Sequence, residues 1–82
     1  MNETQHYELG TAFASLSQIR GHANRARSAL KEQADDNVVV TMITFEHTWF
    51  PYQLKVSDLR RAIDLSVVQA EQRVRELGGT PP

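Results

Sequence analysis

The stretch at residues 38–51, VVVTMITFEHTWFP, decides the fold class of this 82-residue chain. From Val38 to Phe45, six of the eight residues are β-branched, and this composition favours a strand. The order of the apolar residues favours a helix instead, because neither alternate set of side chains is cleanly polar, as a half-buried strand would require. A helix would place the apolar side chains of Val38, Met42, Phe45 and Trp49 opposite the polar side chains of Thr41, Thr44, His47 and Thr48.

The residues around a possible turn also weigh against a hairpin, and Pro51 should end whichever element precedes it. A tight turn would have to lie near Glu46-His47-Thr48, where the chain has no Gly, Asn or Asp. Pro51 lacks an amide donor and restricts the backbone of Phe50, so it should end the preceding element and leave residues 51–56 as a loop. We therefore predict a short middle helix that ends near Phe50.

A long amphipathic helix is predicted before this stretch, from Glu8 to Gln33. Apolar or small residues recur there at alternating steps of three and four, which is typical of a helix with one buried face. These residues are Leu9, Ala12, Leu16, Ile19, Ala23, Ala26 and Leu30, with Phe13 beside them. Because a glycine inside a helix costs about 1 kcal/mol relative to alanine, we expect a break or kink near Gly21.

A second long helix is predicted after the middle stretch, with Ser57 as its N-cap and an end near Leu77. Its apolar residues recur at steps of four and three, and they are Leu59, Ile63, Val67, Ala70, Val74 and Leu77. Gly78-Gly79 is a helix stop signal. Residues 79–82 are predicted to form a disordered tail.

Together these elements predict an all-α fold, a small bundle of two long antiparallel helices with a short middle helix, in a single domain over residues 1–82. The alternative is an α+β fold with a strand or hairpin at about residues 38–56. Because a two-stranded sheet is marginally stable alone, that alternative would lead us to expect strand pairing across a dimer.

The composition limits the possible partners. A net charge of −1 makes duplex nucleic acid an unlikely ligand, since no overall field attracts it. No apolar stretch is long enough to span a membrane, and residues 1–6 do not resemble a secretion signal, so we expect a cytoplasmic protein. Without cysteine or paired histidines there is no disulfide or structural zinc to stabilise so small a core. We therefore expect association into a homo-oligomer to stabilise the fold.

A row of polar and cationic side chains on the first helix is the first candidate binding surface. Arg20, Asn24, Arg27 and Lys31 follow at steps of four, three and four, which places them on one face, and we call them the basic row. Arginine side chains bind phosphate or carboxylate groups, so the basic row could hold a nucleotide or an acidic partner. The alternative is a solvated face whose charge is balanced by Glu32, Asp35 and Asp36 or by acidic residues of the last helix.

Aromatic residues form the second candidate. Trp49 and Tyr52, within the run Trp49-Phe50-Pro51-Tyr52, could stack on a base or anchor a protein interface. Alternatively, Trp49 and Phe50 close one end of the core, and the Tyr52 hydroxyl fixes the turn.

The third candidate is an apolar surface on the last helix. Ala62, Leu65 and Val68 lie off its main apolar stripe, and exposed apolar patches of this kind mark interfaces. We expect these three residues to lie at an oligomer interface. The alternative is that a compact three-layer core buries them.

The sequence contains no arrangement typical of an active site. Glu46-His47 is the only adjacent carboxylate and imidazole pair, and it lacks the spacing of a zinc protease. No metal site or cofactor is predicted. We expect a non-enzymatic interaction, inhibitor or adaptor module that acts as a homo-oligomer and binds another protein. The alternative function is a protein that binds a nucleotide or another small phosphate ligand.

Overall fold

The structure is a computed structural model, and it describes residues 2–82. The elements in chain order are helix α1 (Glu3–Leu30), strand β1 (Val38–Phe45), strand β2 (Thr48–Lys55) and helix α2 (Val56–Glu76). The two helices pack side by side, and the two strands pair antiparallel. We call the strand pair with its turn, residues 38–55, the ribbon.

The ribbon overturns the all-α prediction, because the middle stretch is a hairpin and not a helix. Val38 pairs with Lys55 at the base of the ribbon, and Phe45 pairs with Thr48 beside the turn. The fold is therefore α+β, the arrangement that the β-branched composition of β1 favours.

Helix α1 begins earlier than predicted and has no break. The Asn2 side chain accepts a hydrogen bond from the Gln5 amide at 2.8 Å, and the Gln5 side chain accepts one from the Asn2 amide at 3.0 Å. This reciprocal capping box stabilises the first turn. The helix continues through Gly21, so the predicted kink there is wrong.

Helix α2 follows β2 directly, so the predicted loop at residues 51–56 does not exist. The Val56 amide donates to the Asn37 carbonyl at 2.8 Å, and the Ser57 amide donates to the Asp35 carbonyl at 3.2 Å. These carbonyls satisfy amides that an N-cap side chain would otherwise bind. Lys55 is the N-cap residue, and Ser57, the predicted cap, lies inside the helix.

The core is small and lies mainly along the α1–α2 seam. The buried residues are Ala12, Leu16, Ala23, Leu30, Val56 and Val74. Leu9, Phe13, Ala70 and Leu77 pack around one end of this seam. All of these except Val56 belong to the apolar stripes that the sequence pattern predicts for the two helices.

The C-terminal end of α2 is closed by two glycines. Gly78 has a φ of 89°, and the Gly79 amide donates to the Val74 carbonyl at 3.0 Å, as in a Schellman motif. Gly79 also lies against α1, since a Cβ built on it would stand 2.7 Å from Leu9 Cδ1 and 3.1 Å from Phe13 Cζ.

The ribbon is not collinear with the helix pair. A helix of 28 residues is about 42 Å long, and an eight-residue strand about 27 Å. The longest dimension of the molecule is only 47 Å, so the ribbon turns to one side. A helix pair beside a two-stranded ribbon forms one layer, whereas most domains need at least two layers to bury their apolar faces.

Candidate functional site

The ribbon carries most of the exposed apolar surface of the chain. Eight of its large apolar or aromatic side chains are between 43% and 66% exposed. These residues are Val38, Val40, Met42, Ile43, Phe45, Trp49, Phe50 and Tyr52. Only three other large hydrophobic residues among residues 2–82 are exposed. Soluble proteins rarely leave such a surface uncovered, so the ribbon is the main candidate site.

Both faces of the ribbon are mostly apolar. Strand residues alternate between faces, so Ile43, Phe45, Phe50 and Tyr52 share the face that also carries Val39 and Leu54. Val38, Val40, Met42, Trp49 and Pro51 share the opposite face. Only Val39, Thr41 and Leu54 are half-buried, and all the other ribbon residues are exposed. The ribbon therefore lacks the polar outer face that a strand pair on a monomer surface would normally have.

The structure places Trp49 and Tyr52 within β2 and not at a turn. Trp49 is 64% exposed and Tyr52 is 55% exposed, and their side chains project from opposite faces of the ribbon. Trp49 and Phe50 do not close the core. The two aromatic candidates are thus available to partners, but they cannot act together on one face.

The turn of the ribbon consists of Glu46 and His47, both in the left-handed region, with φ values of 48° and 64°. A two-residue turn of type I′ needs positive φ at both central residues, and Asn-Gly is its preferred sequence. The Glu46-His47 pair adopts this geometry at a cost of about 1–2 kcal/mol per residue. The absence of Gly, Asn and Asp therefore does not prevent a hairpin here.

The two outer edges of the ribbon differ. A two-residue turn makes Phe45 and Thr48 a hydrogen-bonded pair, and alternation along the ladder makes Met42 and Pro51 a non-hydrogen-bonded pair. The Pro51 nitrogen consequently faces outward, where its missing hydrogen breaks no bond to β1. The outer edge of β2 contains this proline in its middle, whereas the outer edge of β1 contains neither proline nor charge.

The basic row lies beside the helix seam, and its two arginines have carboxylate partners on α2. Arg27 Nη2 is 2.7 Å from Asp64 Oδ1, and Arg20 Nη2 is 3.6 Å from Glu71 Oε2. Arg27 also donates to the Asn24 side chain at 3.5 Å. Among residues 2–82, Lys31 forms no ion pair. These contacts join the basic row to α2 and not to Trp49 or Tyr52 on the ribbon.

Arg60 is a structural residue that the sequence analysis did not single out. Its guanidinium donates to the Leu30 carbonyl at 2.7 Å and to the Gln33 carbonyl at 3.0 Å, and it forms an ion pair with Asp35. It thereby binds one carbonyl at the last residue of α1 and one in the turn that follows the helix. Arg60 is one of four arginines on α2, and only the antiparallel packing shows which one reaches the end of α1.

The predicted interface residues of α2 face outward. Leu65 is 55% exposed, Val68 is 56% exposed, and Ala62 is also exposed. We call these three residues the α2 patch. They form a second, smaller apolar surface that no other element of the described chain covers.

A shallow groove follows one side of the helix seam. It consists of two adjoining hollows of about 460 and 270 Å³, which share Ile19 and Ser66 in their linings. Ala12, Ala23 and Ala70 contribute small side chains to it. The residues of the basic row do not line this groove.

The histidines and carboxylates of residues 2–82 are spread along the chain. Within residues 2–82, no group of three or more His, Asp or Glu side chains could hold a metal ion. His47 lies in the exposed turn of the ribbon, and His22 lies at the seam groove. Neither helix between residues 2 and 82 has an apolar segment that would cross a lipid bilayer.

Comparisons with protein families, curated proteins and solved structures found no match to this chain.

Proposed function

We propose that this chain is a non-enzymatic protein-interaction module, of the inhibitor or adaptor kind, that works as a homo-oligomer in the cytoplasm. The ribbon is its main docking element, and the helix pair is the base that presents it. The observation that carries this proposal is the exposure of eight large apolar side chains on one two-stranded element.

The stability of the ribbon supports the same proposal. A two-stranded hairpin is marginal in water unless it packs against further strands or helices. Here only its base is half-buried, and the residues nearest the turn are exposed. A partner that covers these residues would supply the missing burial, at about 25 cal/mol for each Å² of apolar surface removed from water.

The α2 patch is proposed as a second association surface. Ala62, Leu65 and Val68 lie outside the core, where they can contact a neighbouring chain without disturbing the α1–α2 seam. The ribbon and the α2 patch are thus two surfaces for self-association, and the apolar surface that the oligomer leaves exposed is where a different protein binds.

The alternative function, binding of a nucleotide or another phosphate ligand, has less support. Arg20 and Arg27 already have carboxylate partners on α2, and a phosphate ligand would have to compete with them. The aromatic side chains that would stack on a base lie on the ribbon, and the contacts of Arg20 and Arg27 among residues 2–82 are with α1 and α2.

The proposal is tested by native mass spectrometry and light scattering over a range of concentrations. We expect the parent protein to be oligomeric. The variants Trp49→Ala and Phe50→Glu should raise the dissociation constant at least tenfold, because they remove or charge an apolar contact. Tyr7→Ala is the matched control, since Tyr7 is 78% exposed but lies on α1, away from the ribbon.

Three other results would change the conclusion. A parent protein that stays monomeric at millimolar concentration would refute the homo-oligomer. Equal association of the Trp49, Phe50 and Tyr7 variants would show that the ribbon is not the docking element. A nucleotide retained in the parent spectrum, and lost in Arg27→Glu, would favour the alternative function.

A further inference from the structure

We propose that the partner of the ribbon is a second copy of this chain, joined through the outer edge of β1 into a continuous four-stranded antiparallel sheet. This inference rests on the proposed function, because it assumes that the ribbon is a docking element. It adds the identity of the partner, the edge that it uses and the order of the strands, β2-β1-β1-β2.

The backbone groups on the outer edge of β1 are unpaired. Because hydrogen-bonded pairs alternate along the ladder, Val38, Val40, Met42 and Thr44 direct their N–H and C=O groups away from β2. Among residues 2–82, the backbone hydrogen bonds outside the helices and the ribbon ladder do not involve these four residues. Such an edge is a template for another strand.

The outer edge of β2 is a poorer template. Its outward-facing residues are Trp49, Pro51, Gln53 and Lys55. Pro51 has no amide hydrogen, and Lys55 places a charge beside the edge, and both features discourage pairing with another strand. The outer edge of β1 has no such protection, because the sequence VVVTMITF contains no charge and no proline.

The β1 edge is also complementary to itself. In a two-fold arrangement that pairs residues 38–44 of each copy, Thr41 lies opposite Thr41 of the second copy, and Val40 lies opposite Met42. Residues 38–44 contain no charge, so the paired strands bring no like charges together, and apolar side chains of the two copies lie beside each other on both faces. A two-fold axis is the commonest symmetry of soluble dimers.

The exposed apolar surface of the ribbon is comparable in size to one partner's share of a protein interface. Each of the eight exposed side chains presents on the order of 100 Å², which is about half of what a large aromatic residue buries in a core. Together they present about 800 Å², which is roughly the share of one partner in a standard protein interface. Pairing at the β1 edge places the five exposed side chains of β1 directly beside the second copy, whereas the three on β2 lie one strand further away.

Amide hydrogen exchange on the parent protein tests the inference without any substitution. In the dimer, the amides of Val38, Val40, Met42 and Thr44 should exchange at least tenfold more slowly than the outward amides of Trp49 and Gln53. Dilution to the monomer should remove this difference. Equal exchange at the two edges, in a sample that light scattering shows to be dimeric, would refute the β1 pairing and leave the proposed function intact.

A pair of proline variants provides a second test. Val40 and Gln53 face each other across the ribbon, and both direct their amides outward, so neither Val40→Pro nor Gln53→Pro removes a bond between β1 and β2. Val40→Pro should raise the dimer dissociation constant at least tenfold, and Gln53→Pro should leave it within about twofold.

Charge variants at the same two positions control for the possibility that a proline unfolds the ribbon locally. Val40→Lys and Gln53→Lys should reproduce the same contrast, with a cross-strand contact between Phe45 and Thr48 confirming that each ribbon is intact. Equal weakening by both members of each pair would overturn the assignment of the β1 edge. Loss of association in the Trp49 and Phe50 variants alone would show a docking element that uses its faces and not its edge.

Discussion

Arg27 on α1 forms a 2.7 Å ion pair with Asp64 on α2, and two helical turns away Arg20 faces Glu71 in the same register. The basic row is therefore part of the contact between the helices. The side chains of Arg27 and Asp64 are 44% and 66% exposed, so water and salt screen the interaction.

For the Arg27–Asp64 pair, we expect a double-mutant cycle with Arg27→Ala and Asp64→Ala to give a coupling free energy of about 0.2–1 kcal/mol. Urea unfolding in low and high salt measures it, and the coupling should fall in high salt. A coupling near zero would mean that the contact does not contribute to the helix packing. An increase in phosphate binding by Asp64→Asn would indicate that Asp64 holds Arg27 back from a ligand.

Arg60→Met should destabilise the protein by about 1–2 kcal/mol. The substitution removes two hydrogen bonds from the charged guanidinium to backbone carbonyls. A hydrogen bond of this kind contributes about 1.5–3 kcal/mol when it is buried. The Arg60 side chain is 35% exposed, so we expect a smaller contribution from each bond. Arg61→Met is the matched control, since Arg61 is 83% exposed and pairs only with Asp58, so its effect should stay within about 0.5 kcal/mol. Equal unfolding free energies for the two variants would contradict the role of Arg60 at the end of α1.

The turn of the ribbon should become more stable when its residues suit positive φ. We expect Glu46→Asn combined with His47→Gly to stabilise the hairpin by about 1–2 kcal/mol, because Asn and Gly adopt this geometry at lower cost. His47→Val should act in the opposite direction, since a β-branched residue is strained at positive φ. Thermal unfolding and the cross-strand contacts beside the turn measure both effects. An unchanged midpoint of thermal unfolding in both variants would contradict the positive φ values of Glu46 and His47.

Gly79→Ala should lower the free energy of unfolding by about 1–2 kcal/mol, because the added methyl group overpacks the contact with Leu9, Phe13 and Val74. Gly21→Ala should raise it by about 0.5–1 kcal/mol, since nothing lies within 4 Å of a Cβ at that helical position. A change of 1 kcal/mol shifts the melting temperature of a domain of this size by about 4–8 °C, so calorimetry resolves both. If both variants shift the melting temperature in the same direction, the packing at Gly79 is not as described.

The α2 patch is tested by Leu65→Glu, which should weaken association at least tenfold by placing a charge in an apolar contact. Gln72→Glu adds the same charge at another exposed position of α2 and should have little effect. Sedimentation velocity distinguishes the two variants. If Leu65→Glu associates as the parent does, the α2 patch is not part of the interface.

Much of the helix pair could be predicted from the sequence. The spacing of Leu16, Ala23 and Leu30 marks one buried stripe, and that of Val67 and Val74 marks the other. In a helix that buries one face, apolar residues recur about every 3.6 positions, so the spacing of apolar residues in the sequence identifies the buried face. Helix α1 starts before the predicted Glu8, because the capping box of Asn2 and Gln5 precedes the apolar pattern.

The ribbon could not be predicted in the same way, because a periodicity argument assumes that an element buries one face. Both faces of the ribbon are mostly exposed within this chain, so the order of its apolar residues does not reveal its period. The β-branched composition of β1 was the correct signal. Pro51 does not end the strand, because a proline whose nitrogen faces outward breaks no bond to β1. The Glu46-His47 turn forms without glycine, because other residues can adopt positive φ.

The sequence by itself determined two amphipathic helices, their buried stripes and a strand-forming composition between them, because these follow from local spacing and propensity. Only the tertiary structure decided that Arg20 and Arg27 pair with Glu71 and Asp64, that Arg60 reaches the end of α1, and that the β1 edge stays open. Each of these depends on the register between elements far apart in the chain, which the spacing of residues within one element does not contain.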